Sequence, residues 1–376
     1  MKIFVTGGAG FIGGNFVLIQ VLQENNEVLN YDKLTYAGNL DTLTEIDGHS
    51  NYQFIQGDIC QRSMIKEALN KFQPDVIVNF AAESHVDRSI LSPDAFIQTD
   101  IVGTHVLLDI ARDHKLERLH QISTDEVYGS IIEGRFKEGD VFEPNSPYAA
   151  SKAGAELLVR AYHETYGLNT VVTRGSNTFG PYQYPEKIAP LFITNAIDNK
   201  SLPLYGDGFQ IRDWLYVTDH CSGIDVALHK GLPGGVYNLG GGNELKNIEV
   251  TELILKYMDK SSNLIVPVED RPGHDRRYAL DSDLLMSLGW NPSQTFEEAL
   301  VREIKEELCV SINVHEKIAE EEYKDDKIDI ILHYFHCALQ NGSMVLNEHE
   351  NFSWVEKKDF NKFDFAEGDG NILSLL

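Results

Sequence analysis

The stretch Thr6-Gly-Gly-Ala-Gly-Phe-Ile-Gly13 constrains this chain more than any other. It follows a short apolar run, Met1-Lys-Ile-Phe-Val5, and opens an apolar-periodic stretch from Phe11 to about Leu22. Gly7, Gly10 and Gly13 give G-x-x-G-x-x-G, a spacing variant of the dinucleotide fingerprint. A bound pyrophosphate needs a tight turn, close backbone approach and a helix N-terminus with unpaired N–H donors, here those around Phe11 and Ile12. A second run, Glu27-Val-Leu-Asn-Tyr31, ends in Asp32, about 20 residues beyond the glycines. An acidic side chain there accepts from a ribose 2′-hydroxyl and repels a 2′-phosphate, which favours NAD over NADP. A structural loop is the bland alternative, and the strand before and helix after weigh against it.

Strand and helix patterns then alternate. Tyr52-Gln-Phe-Ile55 leads into Gly57-Asp58-Ile59, followed by a helical pattern over 63–72. Asp75-Val-Ile-Val-Asn-Phe80 leads into Ala81-Ala-Glu-Ser-His-Val-Asp-Arg88 and a long helical stretch over 93–114. Such repeated units predict an α/β fold with a parallel, doubly wound sheet. Asp58, Ile59 and the small Ala81 and Ala82 fall at strand ends, where a cofactor passes. Ser84, His85, Asp87 and Arg88 are candidates for substrate contact, against the plain reading of a solvated loop face.

A further apolar run, Arg118-Leu-His-Gln-Ile122, delivers Ser123-Thr-Asp-Glu-Val-Tyr-Gly129 to the same edge. Thr124, Asp125 and Glu126 place a hydroxyl and two carboxyls in succession where open sheets bind ligands. A capping turn would use the same residue types. Next comes Asn145-Ser-Pro-Tyr-Ala-Ala-Ser-Lys152, with Ser146 a natural N-cap, Pro147 suited to the first helical position and Gly167 a natural stop. Tyr148 and Lys152 therefore share one helical face. An ammonium beside a phenol, together with the positive nicotinamide ring, favours the phenolate and lets it act as a base.

These motifs resemble the extended short-chain dehydrogenase/reductase superfamily and, within it, the dTDP-glucose 4,6-dehydratase family. Ala82–Ser89, Ser123–Gly129, Gly206-Asp-Gly-Phe-Gln-Ile-Arg-Asp-Trp-Leu-Tyr-Val217 and Arg271-Pro-Gly-His-Asp-Arg-Arg-Tyr278 carry the resemblance over residues 1 to about 300. It implies a Rossmann-like NAD domain over 1–175 and a smaller α/β nucleotide-sugar domain over 176–300, partly interleaved with the first. It also implies a homodimer formed through the helices near 93–114 and 147–166. Tyr148, Thr124 and Lys152 would serve oxidation at C4, Glu126 would take the C5 proton, and Asp125 would protonate the leaving C6 hydroxyl. Asn177, Lys187, Arg212, Asn247, Arg271 and His274 match substrate positions, although a structural salt bridge competes for any one of them. Three positions depart from the family pattern: Asp100 for Asn, Gly175 for Cys, and Thr178-Phe179 for Asn-Tyr. Asp100 is expected to add negative charge near the cofactor crevice and weaken NAD binding. A 4-epimerase or another sugar dehydratase is the alternative within the superfamily.

The charge balance narrows the partners. Lys plus Arg total 32 against 58 Asp plus Glu, a net charge of −26. Nucleic acid and anionic membranes both demand positive charge, so neither is expected. A phosphate ligand must instead be met by local arginines and backbone N–H groups. The four cysteines show neither metal nor disulfide spacing. No leader pattern or membrane-length apolar run appears, which makes the cytoplasm the expected compartment.

From Val301 the pattern changes. Arg302-Glu-Ile-Lys-Glu-Glu-Leu-Cys-Val310 resembles the second half of a Nudix box, and His349–Trp354 and Phe363–Glu367 resemble the rear of that fold. Glu303, Glu306 and Glu307 would lie within one helical turn and suit Mg²⁺, against the plain reading of a charged helix face. Leu288, Gln294 and Cys309 stand where the box has Gly, Glu and Gly. The tail therefore reads as an incomplete Nudix-like α+β fragment joined to the dehydratase at a shared helix. Hydrolysis of nucleotides is the alternative function of a different class. The charged segment 320–326 reads as a loop.

Overall fold

The computed structural model describes residues 1–308, 311–324 and 329–341, with side chains as far as Arg302. Seven strands form one parallel sheet: β1 (Lys2–Thr6), β2 (Glu27–Asp32), β3 (Tyr52–Gln56), β4 (Val76–Asn79), β5 (Arg118–Thr124), β6 (Thr170–Gly175) and β7 (Gly235–Leu239). Their order is β7-β6-β5-β4-β1-β2-β3, every pairing parallel. Near-continuous burial along β1, β4 and β6 explains why their sequences are apolar runs rather than alternating ones.

Helices cover both faces. Ile3 and Val5 of β1 join a core with Phe16, Val17 and Val21 of α1 (Phe11–Leu22), whereas Phe4 between them joins a second core. That second core takes in Ile65 and Leu69 of α2 (Arg62–Phe72), Leu107 and Leu108 of α3 (Thr104–His114), and Val159 and Tyr162 of α4 (Pro147–Tyr166). The first is completed by Ile224 and Leu228 of α5 (Val217–Lys230). Successive side chains on one strand thus feed opposite layers, as the two-residue period of a strand requires. The strand order reverses between β1 and β4, and the crevice at their carboxyl ends is where such sheets bind ligands.

Two local features place the site. The Ser146 hydroxyl accepts from the Ala149 N–H at 3.1 Å, Pro147 follows, and Gly167 ends the helix at φ 67°. These signals hold α4 in the register that stacks Tyr148 one turn before Lys152. The helix over 94–114 contains a π-helical segment, Ile97–Gly103, immediately before α3.

A three-stranded sheet of Asn177–Phe179, Ile211–Tyr216 and Glu244–Lys246 lies beyond β6 in sequence. A parallel pair of Leu202–Tyr205 and Ile265–Val268 accompanies it. Because β7 comes from this later part of the chain, residues beyond 176 also complete the main sheet.

The chain divides into two compact units, Met1–Val301 and Arg302–Leu376. In the second, Ser311–Lys324 pairs antiparallel with Asp329–Asn341. Residues 320–324, expected as loop, are strand: pairing across the hairpin satisfies their backbone groups, and local charge does not outweigh it. Residues 325–326 and the Nudix-like stretches 349–354 and 363–367 lie outside the described residues, as does Cys309. Glu303, Glu306 and Glu307 fall on the helix Phe296–Leu308, but their side chains also lie outside the described residues.

Candidate active site

A cavity of about 480 Å³ opens along the carboxyl ends of β1, β4, β5 and β6. On its cofactor side Gly7 has φ 73°, and a Cβ there would lie 2.5 Å from the Ala81 backbone N. A Cβ on Gly13 would collide with the Gly7 carbonyl. Gly10 differs: a Cβ would meet only that carbonyl at 3.4 Å, so a side chain would fill the cavity instead of the protein. Gly10 is also the N-cap of α1 and offers no side-chain cap, which leaves first-turn N–H groups for an anion. This is a fit to a dinucleotide pyrophosphate. Asp32 is 8% exposed and accepts from the N–H groups of Ala9 (2.9 Å) and Leu34 (2.8 Å), which fixes its carboxylate at the cavity edge. Burial alone would raise the Asp58 carboxyl, yet Lys33 at 2.8 Å and the Cys60 N–H hold it below its ordinary value.

At the end of β5 the Thr124 hydroxyl accepts from the Glu126 N–H and donates to Asp125, each at 3.2 Å. The other Asp125 oxygen is buried and has no hydrogen-bond partner among the described residues. Burial, then the Glu126 charge, pushes Asp125 well above the carboxylate range. Glu126 is also raised by burial, but Arg271, Lys187 and Arg212 oppose the rise. Two adjacent carboxyls thus occupy unlike environments: both are raised by burial, but three cations oppose the rise at Glu126 and one at Asp125. Burial, then Glu126 and Asp100, raises the Tyr148 phenol well above its ordinary value, and the Thr124 hydroxyl opposes them. Lys152 donates to the Ile122 carbonyl at 2.8 Å; burial lowers its ammonium, and Asp100 and Glu156 act the other way.

A buried ion pair backs this turn. Arg174 donates to Glu156 at 2.8 Å and 2.9 Å, and Ser123 hydrogen-bonds the same carboxylate. The guanidinium lies 4.8 Å from the Tyr128 ring centroid and 4.6 Å from that of Phe142. Residues on both sides of the Thr124–Glu126 segment are therefore anchored to one ion pair, Ser123 to Glu156 and Tyr128 to Arg174.

Opposite, the cavity wall is charged. Asp87 accepts from Arg271 and from the Tyr205 hydroxyl, both at 3.1 Å. Lys187 donates to the Ser84 carbonyl at 2.8 Å, Arg212 to the Asp275 carbonyl at 3.0 Å, and His274 meets Asp270 at 2.6 Å. Asn177 sits on a strand paired beside Trp214, and Asn247 opens the helix Asn247–Tyr257.

All the residues predicted for cofactor, catalysis and substrate line this one cavity, except Arg88. Its guanidinium stacks 3.6 Å from the Tyr36 ring centroid and lies 3.7 Å from Glu186, which does line the cavity. Asp100 lies beside the cavity rather than in its wall. It is 2% exposed and accepts from the Glu83 N–H and the Ser151 hydroxyl. At the other departures, a Cβ on residue 175 would collide with the His220 imidazole, whose Nδ1 lies 2.7 Å from the Thr178 hydroxyl. Glycine at 175 is what lets this histidine sit against β6. Tyr205, Glu186 and His220 also line the cavity and were missed, although Tyr205 directly precedes the Gly206 motif and Glu186 adjoins Lys187. Among the described residues no cluster of His, Cys, Asp or Glu is arranged to hold a metal ion, and no helix is long and apolar enough to cross a membrane.

Residues 4–304 match the model of the family described as GDP-mannose 4,6 dehydratase. The chain belongs to that family. Among its relatives is the low-salt glycan biosynthesis protein Agl12 of Haloferax volcanii, 50% identical over 300 residues, covering 80% of this chain and 96% of the relative. The dTDP-glucose 4,6-dehydratase of Xanthomonas campestris pv. campestris is 49% identical over 316 residues, covering 79% and 90%. A crystal structure of DesIV, the dTDP-glucose 4,6-dehydratase of Streptomyces venezuelae, with NAD and TYD bound, superposes with a TM-score of 0.79 at 46% identity, covering 81% of this chain and 96% of that one. Residues 289–376 match the NUDIX domain model and so overlap the 4,6 dehydratase match over 289–304.

Proposed function

We propose that the chain is an NAD-dependent lyase that converts dTDP-glucose to dTDP-4-keto-6-deoxyglucose. The observation that carries this is the adjacent pair Asp125 and Glu126, in unlike electrostatic settings, in one cavity with Tyr148 and Lys152. An epimerase needs a base at C4 only, whereas elimination needs a carboxylate and a carboxylic acid side by side.

Gly7, Gly10, Gly13 and the first turn of α1 hold the pyrophosphate, and Asp32 takes the ribose hydroxyls. NAD, when bound, accepts the C4 hydride and returns it to C6. Tyr148 takes the C4 hydroxyl proton, with Lys152 and Thr124 favouring its phenolate. The new C4 ketone acidifies C5–H, and Glu126 removes that proton. Asp125 gives its proton to the C6 hydroxyl, which leaves as water. Glu126 then returns a proton to C5 as the hydride reaches C6. The cationic wall of Lys187, Arg212 and Arg271, with His274, Asn177 and Asn247, takes the nucleoside diphosphate.

Residues 1–175 serve the cofactor and 176–300 the nucleotide sugar, with β7 interleaved. The working form is a cytoplasmic homodimer built through the helices over 93–114 and 147–166, which sedimentation of the purified chain would test. For the activity itself, dTDP-glucose is incubated with the chain and no added reductant. Loss of one water with a 4-keto, 6-deoxy product is expected. A product still hydroxylated at C6 would make the chain an epimerase, and release of phosphate or pyrophosphate would assign it to nucleotide hydrolysis.

A further inference from the structure

A buried carboxylate that the dehydration leaves unused lies beside the Tyr148–Lys152 pair. Asp100 sits on the π-helical segment Ile97–Gly103 and is 2% exposed. One oxygen accepts from the Ser151 hydroxyl at 2.5 Å, and that hydroxyl also lies 2.8 Å from the Tyr148 carbonyl. The other accepts from the Glu83 N–H at 3.0 Å. The side chain therefore ties the helix that presents Tyr148 and Lys152 to the loop after β4. Such π-helical segments recur where a helix must aim a functional residue.

The titratable groups that act on Asp100 are Lys152 from α4 and Glu83 from the loop after β4; Asp100 in turn acts on Tyr148. Cys60, after β3, donates to the Gln98 carbonyl of the same helical segment at 3.2 Å. Burial pushes the Asp100 carboxyl up to about 6, against the opposing effects of Lys152, Ser151 and the Glu83 N–H. In return Asp100 supports the Lys152 ammonium and opposes the Tyr148 phenolate.

We propose that Asp100 is a positioning residue that sets the pH window of the first proton transfer, acting on Tyr148 and Lys152 through its charge and through Ser151 without touching substrate. The proposal rests on the dehydratase reading above. A fixed anion raises the proton affinity of a neighbouring phenol and of a neighbouring amine alike. It therefore moves both limbs of the rate profile toward higher pH, the limb on which Tyr148 must ionise and the limb on which Lys152 loses its charge.

The test is kcat/KM against pH for the full chain with bound NAD, wild type against Asp100→Asn. Asparagine retains an acceptor for the Glu83 N–H. Both limbs should move acidward by about one pH unit, the size of effect one nearby charge exerts in a partly buried site. The two profiles should converge as pH falls through about 6, where the wild-type carboxyl takes up its proton. Ser151→Ala, which removes a donor favouring the anion, should shift the profile in the same direction by less. It also serves as the independent test if Asp100→Asn fails to fold. A loss of rate with unmoved limbs in either variant would overturn the proposal and leave Asp100 a structural residue. Absence of turnover in the wild type would overturn the dehydratase reading itself, which separates the two failures.

Discussion

The two halves of the cavity are built from different materials. On the cofactor side the working surface is backbone: glycines that admit close approach, an uncapped helix terminus, and one acidic residue held by N–H groups. On the substrate side it is side chains, already paired with one another, as in Arg271 with Asp87 and His274 with Asp270. A backbone cradle is fixed when the fold forms and carries no net charge. A charged wall must exchange internal pairs for the ligand's phosphates. In a chain of net charge −26, Lys187, Arg212 and Arg271 nonetheless converge on one cavity.

The largest expected effect lies where the halves meet. Glu126→Gln should lower kcat by about 10³-fold, within the range for losing a general base. Bound NAD should stay at wild-type occupancy, read by its absorbance after denaturation. Loss of NAD together with rate would mean that the two halves are not separable. Gly13→Ala attacks the backbone cradle alone. Overpacking of about 2 kcal/mol corresponds to roughly 30-fold weaker NAD binding, measurable by titrating cofactor into stripped protein. Unchanged NAD affinity would show that the loop yields and that the cradle is not rigid.

Arg271→Ala addresses the charged wall. KM should rise about 10-fold with kcat nearly constant, the signature of lost uniform binding. An equal fall in kcat would place Arg271 in the chemistry, which its influence on Glu126 makes worth checking. The smallest effect concerns the internal pairing of that wall. Arg271 and Tyr205 hold the Asp87 carboxyl below its ordinary value, although burial raises it. A lowered carboxyl adds stability above its unfolded value near about 4, and this is lost as pH falls through the lower folded value. With both partners partly exposed, Asp87→Asn should cost about 0.5 kcal/mol at neutral pH and nothing in strong acid, read by urea unfolding.

Legibility in the sequence follows the same division. The glycine turn, Asp32, the Ser146 cap and the Tyr148–Lys152 spacing are local signals, each satisfied within a few residues of chain, and the structure holds them as the sequence predicts. Arg88 was grouped with its neighbours because they adjoin in sequence. Arg88 and His85 reach the same Glu186 oxygen, each at 3.7 Å, yet only His85 lines the cavity, and no local pattern announces which way a side chain on so short a helix turns. The charged segment 320–324 shows the opposite failure, a local charge pattern overridden by pairing with a partner strand.

By itself the sequence determined the alternating α/β fold, the NAD half of the cavity, and the identity of the catalytic candidates, because strand burial, helix caps and glycine turns act over short distances. Tertiary structure decided the rest. It placed β7 in the main sheet, set His220 against Gly175, and left one Asp125 oxygen without a partner among the described residues. It also fixed the Asp100 carboxylate between the Glu83 N–H and Ser151. Each of these depends on residues far apart in the chain meeting at one point. Burial and charge at that point, and not residue type, determine which carboxyl keeps its proton.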